Sequence, residues 1–293
     1  MLYSLLARFQ GGLLGSAIAE IVTYPSTDKS EPSLRSLQLC LLPILLESGY
    51  VAEIDWREIY QKQQTSGYWN RTPNSSELAV LTMPLALFFH DSASRLETQL
   101  SNFLNAWGLP QESLPELLLW GQIISLALRG KLQPSLLIPQ LLDGNTPFKP
   151  QLERVQRYLE RDLPLTQAIA DLQHAPPQFQ GMAAALFCFA SVPEDFRLST
   201  LRAVQGERQL AGVAALTGSL AGAYNSVSGI PVPWRLAAQN SPALQEIPQQ
   251  AKSLLATWSG NYYCMTGDFS AKLAVAAAGT IQPRHSWRMI SQR

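Results

Sequence analysis

The chain has 293 residues, 46% of them hydrophobic, which supplies a large core and excludes a disordered chain. Lysine plus arginine and aspartate plus glutamate both number 22, so the formal charge is zero and no general attraction to nucleic acid or to an anionic membrane is expected. Only 15% of residues are charged, against roughly 25% in an average domain, so much of the surface is neutral and partner binding stays open.

Helical periodicity begins at once. Leu5, Phe9, Leu13 and Ile18, with Leu6 and Leu14 beside them, give residues 3–22 an apolar helical face. Residues 11–19 end in Ala17-Ile18-Ala19, which imitates a signal-peptidase site. Only Arg8 precedes them, and Leu2, Leu5 and Leu6 lie upstream of that charge, so a core helix is the better reading. A polar loop follows at residues 25–32. Ser30 or Glu31 caps the next helix, Pro32 fits its first turn, and Leu34, Leu37, Leu41, Ile44 and Leu45 form its stripe as far as Gly49. A short helix at 55–64 and a polar loop at 65–76 come next. Further helices are predicted at 77–90, 94–107, 113–129, 134–142, 150–162, 164–173, 179–190, 192–204, 210–225 and 242–255. No strand pattern, repeat or Pro/Gly/Ser-rich linker intervenes. The expected architecture is all-α, one many-helix domain over residues 1–278 with a basic tail at 279–293.

Cys40, Cys188 and Cys264 lie far apart without Cys-x-x-Cys spacing, and read as reduced, mostly buried thiols in a reducing, cytoplasmic compartment. The uncharged stretch between Arg208 and Arg235 is long enough to cross a bilayer. It is built from Ala, Gly, Ser and Thr with few large side chains, so a tightly packed buried helix is expected instead of a membrane span. Within it, residues 211–224 read AGVAALTGSLAGAY. Gly218 and Gly222 are four apart, so one flank has no side chains to hold another backbone away. Glycine inside a helix costs up to about 1 kcal/mol relative to alanine, which close approach can justify. This helix is therefore predicted to be central. Gly229-Ile230-Pro231-Val232-Pro233-Trp234 reads as the turn that ends it.

Gly222-Ala223-Tyr224 followed by Ile230-Pro231 and Trp234 resembles the end of the hallmark helix of ADP-ribosylglycohydrolases. Residues 8–20, RFQGGLLGSAIAE, resemble the first helix of that family. Leu45-Leu46-Glu47-Ser48-Gly49 and Pro84-Leu85-Ala86-Leu87 fall in the family's order, so the resemblance covers about residues 5–238. It implies an all-helical hydrolase with two magnesium ions that cleaves the bond between ADP-ribose and a side chain or hydroxyl.

Magnesium demands oxygen ligands, and two ions need several convergent carboxylates. The family takes them from a Thr-Asp-Asp-Thr motif at the start of the second helix and a Gly-Asp-Thr-Asp-Thr motif at the start of the small-residue helix. Counted back from Gly222 and Gly218, the second motif falls on Arg208, Gln209, Leu210, Ala211 and Gly212, without a carboxylate. The first falls on Ser30-Glu31-Pro32-Ser33 by spacing from Gly49, or on Thr27-Asp28-Lys29-Ser30 by local likeness. Either placement leaves at most one carboxylate of the pair. The family's Asn-Gly-x-x-Met-Arg segment falls on about residues 76–81 and is unrecognisable. A histidine expected before the 116–129 helix is absent.

Vestigial cleft candidates are Glu20, Asp28, Glu31, Arg208 and Gln209. Glu20 is equally well a solvated or capping carboxylate, whereas Asp28 and Glu31 read better as helix N-terminal acids that complement a dipole than as weak holders of one ion. Arg208 and Gln209 at a helix start suit a phosphate or carboxylate, although an arginine that replaces lost metal charge and ties the cleft shut is the preferred reading. His90-Asp91 reads as a dipole-favoured C-terminal histidine with a capping aspartate, and His174 and His285 are isolated. The tail's Arg284, Trp287 and Arg288 suit either a partner or packing back on the domain. The expectation is a non-catalytic protein-binding or scaffold module with an ADP-ribosylglycohydrolase-like fold, using no metal or other cofactor, with a protein partner and no nucleic acid. The alternatives are a hydrolase of ADP-ribosyl or other N-glycosidic bonds with a rebuilt or metal-free site that uses Glu20, with or without Glu31, and a nucleotide sensor at Arg208.

Overall fold

A computed structural model describes residues 3–24, 34–65, 73–144, 146–174, 179–207, 210, 212–242 and 244–260. The described elements are α-helices and one short 3-10 turn. Residues 261–293 lie outside them, so the predicted tail does too.

The first helix, α1 (Leu5–Thr23), is capped by Ser4, whose hydroxyl accepts the Ala7 N–H at 3.2 Å. After it come α2 (Leu34–Ser48), α3 (Glu53–Thr65), α4 (Ser75–Leu81) and α5 (Met83–Phe88). One continuous helix was expected across α4 and α5. Two form because Pro84 has no N–H to give to Val80, four residues back, and the chain breaks at Thr82, whose hydroxyl donates to the Leu78 carbonyl at 2.8 Å. Next are α6 (Ala93–Ala106), α7 (Leu114–Leu128), α8 (Pro134–Asp143), α9 (Lys149–Glu160), α10 (Leu165–Gln173), α11 (Gln180–Ser191) and α12 (Phe196–Glu207). The small-residue helix is α13 (Val213–Gly229), followed by α14 (Val232–Gln239) and α15 (Ile247–Trp258). The turn predicted at 229–234 is thus half helix: Pro231 caps α14 and Pro233 sits in its first turn, where a missing N–H does no harm.

The centre of the molecule is α1 against α13. A side-chain carbon on Gly222 would collide with the carbonyl of Gly11, and one on Gly218 with the carbonyl of Gly15 and the methyl of Ala19. The reverse holds for Gly11 and Gly15, so the two helices run antiparallel with backbone directly on backbone. On this pair pack α12, α11, α7 and α15. Among the described residues α1 is the one helix long and apolar enough to cross a bilayer, and most of it is buried within the protein. The apolar run of residues 11–19 is buried throughout, as are residues 213–223 of α13.

Arg8 explains how α13 ends. Ser226 leaves the helix (φ 61°, ψ 176°), which frees carbonyls in the preceding turn. The buried Arg8 guanidinium donates to two of these, Ala223 and Tyr224, at 3.2 Å each, and to Ala127 in the last turn of α7 at 2.6 Å. One cation therefore ties three helices together through carbonyls near their ends, and the Ala127 carbonyl also accepts the Gly130 N–H at 3.1 Å. Burial lowers its pKa from the usual arginine range.

The candidate cleft at the start of α13

Of the two segments that the resemblance assigns to the metals and the substrate, Gly212 and the Ser76-Glu77 pair do meet. Gly212 stands at the N-cap of α13 with φ +92°, the left-handed region that favours glycine. A side-chain carbon there would lie 3.0 Å from Ser76 Cβ and 3.2 Å from the Glu77 backbone nitrogen. The first turn of α4 is therefore seated directly on the start of α13. Asn74 fixes that turn with a capping box: its side chain accepts the Glu77 N–H at 2.9 Å while Glu77 accepts the Asn74 N–H at 2.9 Å. Gly181 in the first turn of α11 abuts the Ser76 hydroxyl just as tightly.

A carboxyl group lies among these helix starts that sequence reasoning did not single out. Glu116, in the first turn of α7, is 1% exposed. Its Oε2 accepts the Phe179 N–H at 3.1 Å, and its carboxylate also accepts the Ser75 hydroxyl, while Oε1 is buried without a hydrogen-bond partner. Three helix N-termini (α4, α7 and α11) thus meet at one acid, and the start of α13 packs on the first of them. Desolvation pushes its pKa up to about 7, against the pull of the Ser75 and Phe179 hydrogen bonds. Phe179 itself has φ +68°, an unusual conformation for a bulky residue. It is held there by Glu116 and by stacking on Phe148, with ring centroids 4.6 Å apart and planes 7° apart. Glu116 is thus a fastening between α7 and the strained entry to α11.

Glu20 is partly buried in the last turn of α1, whose glycine face lies on α13. Asp28, Glu31, Arg208 and Gln209 lie outside the described residues. His90 follows the end of α5, as expected of a C-terminal histidine, but it is not solvated. It is buried, edge-on to Phe9 and tilted against Trp258, with Nδ1 on the Leu87 carbonyl at 2.7 Å, and burial lowers its pKa. Asp91 does not cap. Its carboxylate accepts the Trp258 indole N–H at 3.3 Å and so helps fasten α15. Cys188 is buried, with its pKa raised to about 12 by desolvation, but Cys40 is exposed because it lies off the apolar stripe of α2. Cys264 lies outside the described residues.

The arrangement defines an all-α protein organised on a glycine-paired antiparallel helix couple, with helix starts gathered at one end of α13. The chain belongs to the ADP-ribosylglycohydrolase family, whose model matches residues 1–263. No curated protein matches it significantly. A solved structure described as an ADP-ribosylglycohydrolase-related protein complex superposes with a TM-score of 0.63 at 20% identity, covering 86% of this chain and 98% of that one.

The family's paired magnesium ions do not fit these residues. Positions 208–212 offer no side-chain carboxylate, and Gly212 has no space for a longer side chain. Among the described residues no group of three or more His, Cys, Asp or Glu stands close enough to hold a metal.

Proposed function

We propose that this chain is a non-catalytic member of the ADP-ribosylglycohydrolase family that serves as a protein-binding or scaffold module in the cytoplasm. The observation that carries the reading is the start of α13. The residues that would hold metal are replaced by Arg208, Gln209, Leu210, Ala211 and Gly212, while the glycine packing of the same helix against α1 is intact. Gly212, backed onto α4, closes one position of the old site with backbone. The buried acid found nearby does not restore chemistry. Glu116 has a pKa suited to proton transfer near neutrality, but its free oxygen is sealed from solvent and a general acid must reach its substrate.

Support for partner binding comes from exposed apolar side chains on adjoining helices. Val232 and Leu236 of α14 are 56% and 52% exposed, and Leu198 of α12 is 45% exposed. The two helices meet where Phe196 packs edge-on to Trp234, centroids 6.1 Å apart. Such side chains suit a protein partner with its own apolar face. The test is an assay of ADP-ribose release from arginine-, serine- and acetyl-linked substrates with Mg²⁺ or Mn²⁺ present. No release is expected, and metal-dependent turnover overturns the reading.

A further inference from the structure

Apart from the α13 start, a groove of about 640 Å³ opens between α8, α9, α11 and α12, within the size range of small-molecule sites. Its floor is aromatic: the rings of Tyr158 and Phe187 meet edge to face with centroids 5.9 Å apart, and both are buried. Arg202 of α12 lays its guanidinium over the Phe187 ring at 5.6 Å. Its Nε is buried without a hydrogen-bond partner, and among the described residues Arg202 has no ion pair. The Nε is sealed inside, but the side chain lines the groove, and a guanidinium without an ion pair in a groove wall is the shape that receives an oxyanion.

Opposite charge lines the same groove at Glu160 and Asp162. Asp162 follows α9 with φ +47°, a position where glycine is usual; the turn is closed by the Leu163 N–H on the Tyr158 carbonyl at 3.0 Å. An aspartate there accepts strain that glycine would avoid, yet it keeps a carboxylate among the lining residues. One cation, two carboxylates and an aromatic floor are complementary to a small molecule that carries both charges on an apolar body. A phosphate ester has no positive end to offer and meets repulsion from both acids.

We propose that this groove is a binding site for a small zwitterion, a free amino acid or dipeptide, with its carboxylate on Arg202 and its ammonium toward Glu160 and Asp162. The site is separate from the α13 start and does not depend on whether the family chemistry survives.

The test is titration of the full chain by calorimetry with L-phenylalanine, L-leucine and glycyl-L-phenylalanine. Phenylacetate (no ammonium), phenethylamine (no carboxylate) and inorganic phosphate are the comparison arms. At least one zwitterion is expected to bind with a Kd below about 1 mM, and Arg202→Gln to weaken it at least about tenfold with an unchanged circular dichroism spectrum. Glu160→Gln should weaken the zwitterion but not phenylacetate. Because Arg202 also packs on Phe187, Ser135→Trp at the exposed rim provides a second variant that fills the groove without touching the core, and it should abolish binding. Absence of binding by all three zwitterions up to about 10 mM overturns the proposal, as does binding indifferent to both Arg202→Gln and Ser135→Trp, or phosphate or phenylacetate binding as well as the zwitterions.

Discussion

Glu116 and Arg8 are both buried ionisable groups, and their environments make opposite demands. Glu116 has a folded-state pKa near 7 against an ordinary value of 4.5, so folding favours its protonated form. As pH rises through that interval the unfolded chain releases the proton while the folded chain retains it, and stability falls. Below about pH 4.5 the group has no effect, and above about pH 7 the loss levels off at roughly 3 kcal/mol. Glu116→Gln should therefore be flatter with pH than the parent, the difference between them shifting in the variant's favour between about pH 4.5 and 7.5 in urea melts. Parallel profiles would mean that Glu116 is solvated or ion-paired in solution. Arg8 is bound to three carbonyl oxygens, and Arg8→Met removes that donor from all of them. That substitution should cost at least about 2 kcal/mol, and Arg8→Lys, which keeps a donor, should cost less. An Arg8→Met protein that melts with the parent would show that water reaches the break at Ser226.

At the level of helices, the α1/α13 crossing is the most demanding contact. Since even a single side-chain carbon at Gly222 meets the Gly11 backbone, Gly222→Ala and Gly15→Ala should each destabilise by about 1–3 kcal/mol or more, and Gly218→Leu and Gly222→Leu more severely. Gly206→Ala in α12 is the control. Its new methyl would meet only the far end of the Ile169 side chain at 3.1 Å, so thermal melts should move little. Equal melting shifts at Gly222 and Gly206 would mean that the crossing is looser than described. Much of this was legible beforehand: Gly218 and Gly222 announced a close-packed helix, and its apolar, uncharged length announced burial. Its partner was not, because pairing with Gly11 and Gly15 is decided by tertiary packing some 200 residues away, which no local pattern encodes. The same limit hid Glu116. A carboxylate in a first turn ordinarily complements the dipole, and only the fold brings Phe179, 63 positions on, to its oxygen. The break at Thr82 was concealed by an unbroken apolar run, and α14 by prolines that read as a stop although they also suit a start.

For the whole molecule, the second metal motif of the family falls on residues 208–212, which carry no carboxylate. A cleft that has lost charge-binding residues can still close and pack, since the glycine crossing, the Arg8 ties and the Asn74–Glu77 capping box owe nothing to metal. Under the proposed reading the fold is kept for its shape, which another molecule reads. Calorimetry should show no stoichiometric site for Mg²⁺ or Mn²⁺ at micromolar affinity, because among the described residues no three His, Cys, Asp or Glu side chains gather into the convergent cage these ions need. The protein should leave its native cells in a complex larger than one chain. Val232→Lys combined with Leu236→Lys should dissolve that complex while leaving the melting temperature of the purified protein unchanged, since both side chains are more than half exposed. If the native protein runs at the size of one chain, and ADP-ribosyl turnover appears and is abolished by Glu20→Gln, then the site has been rebuilt around Glu20 and the scaffold reading fails.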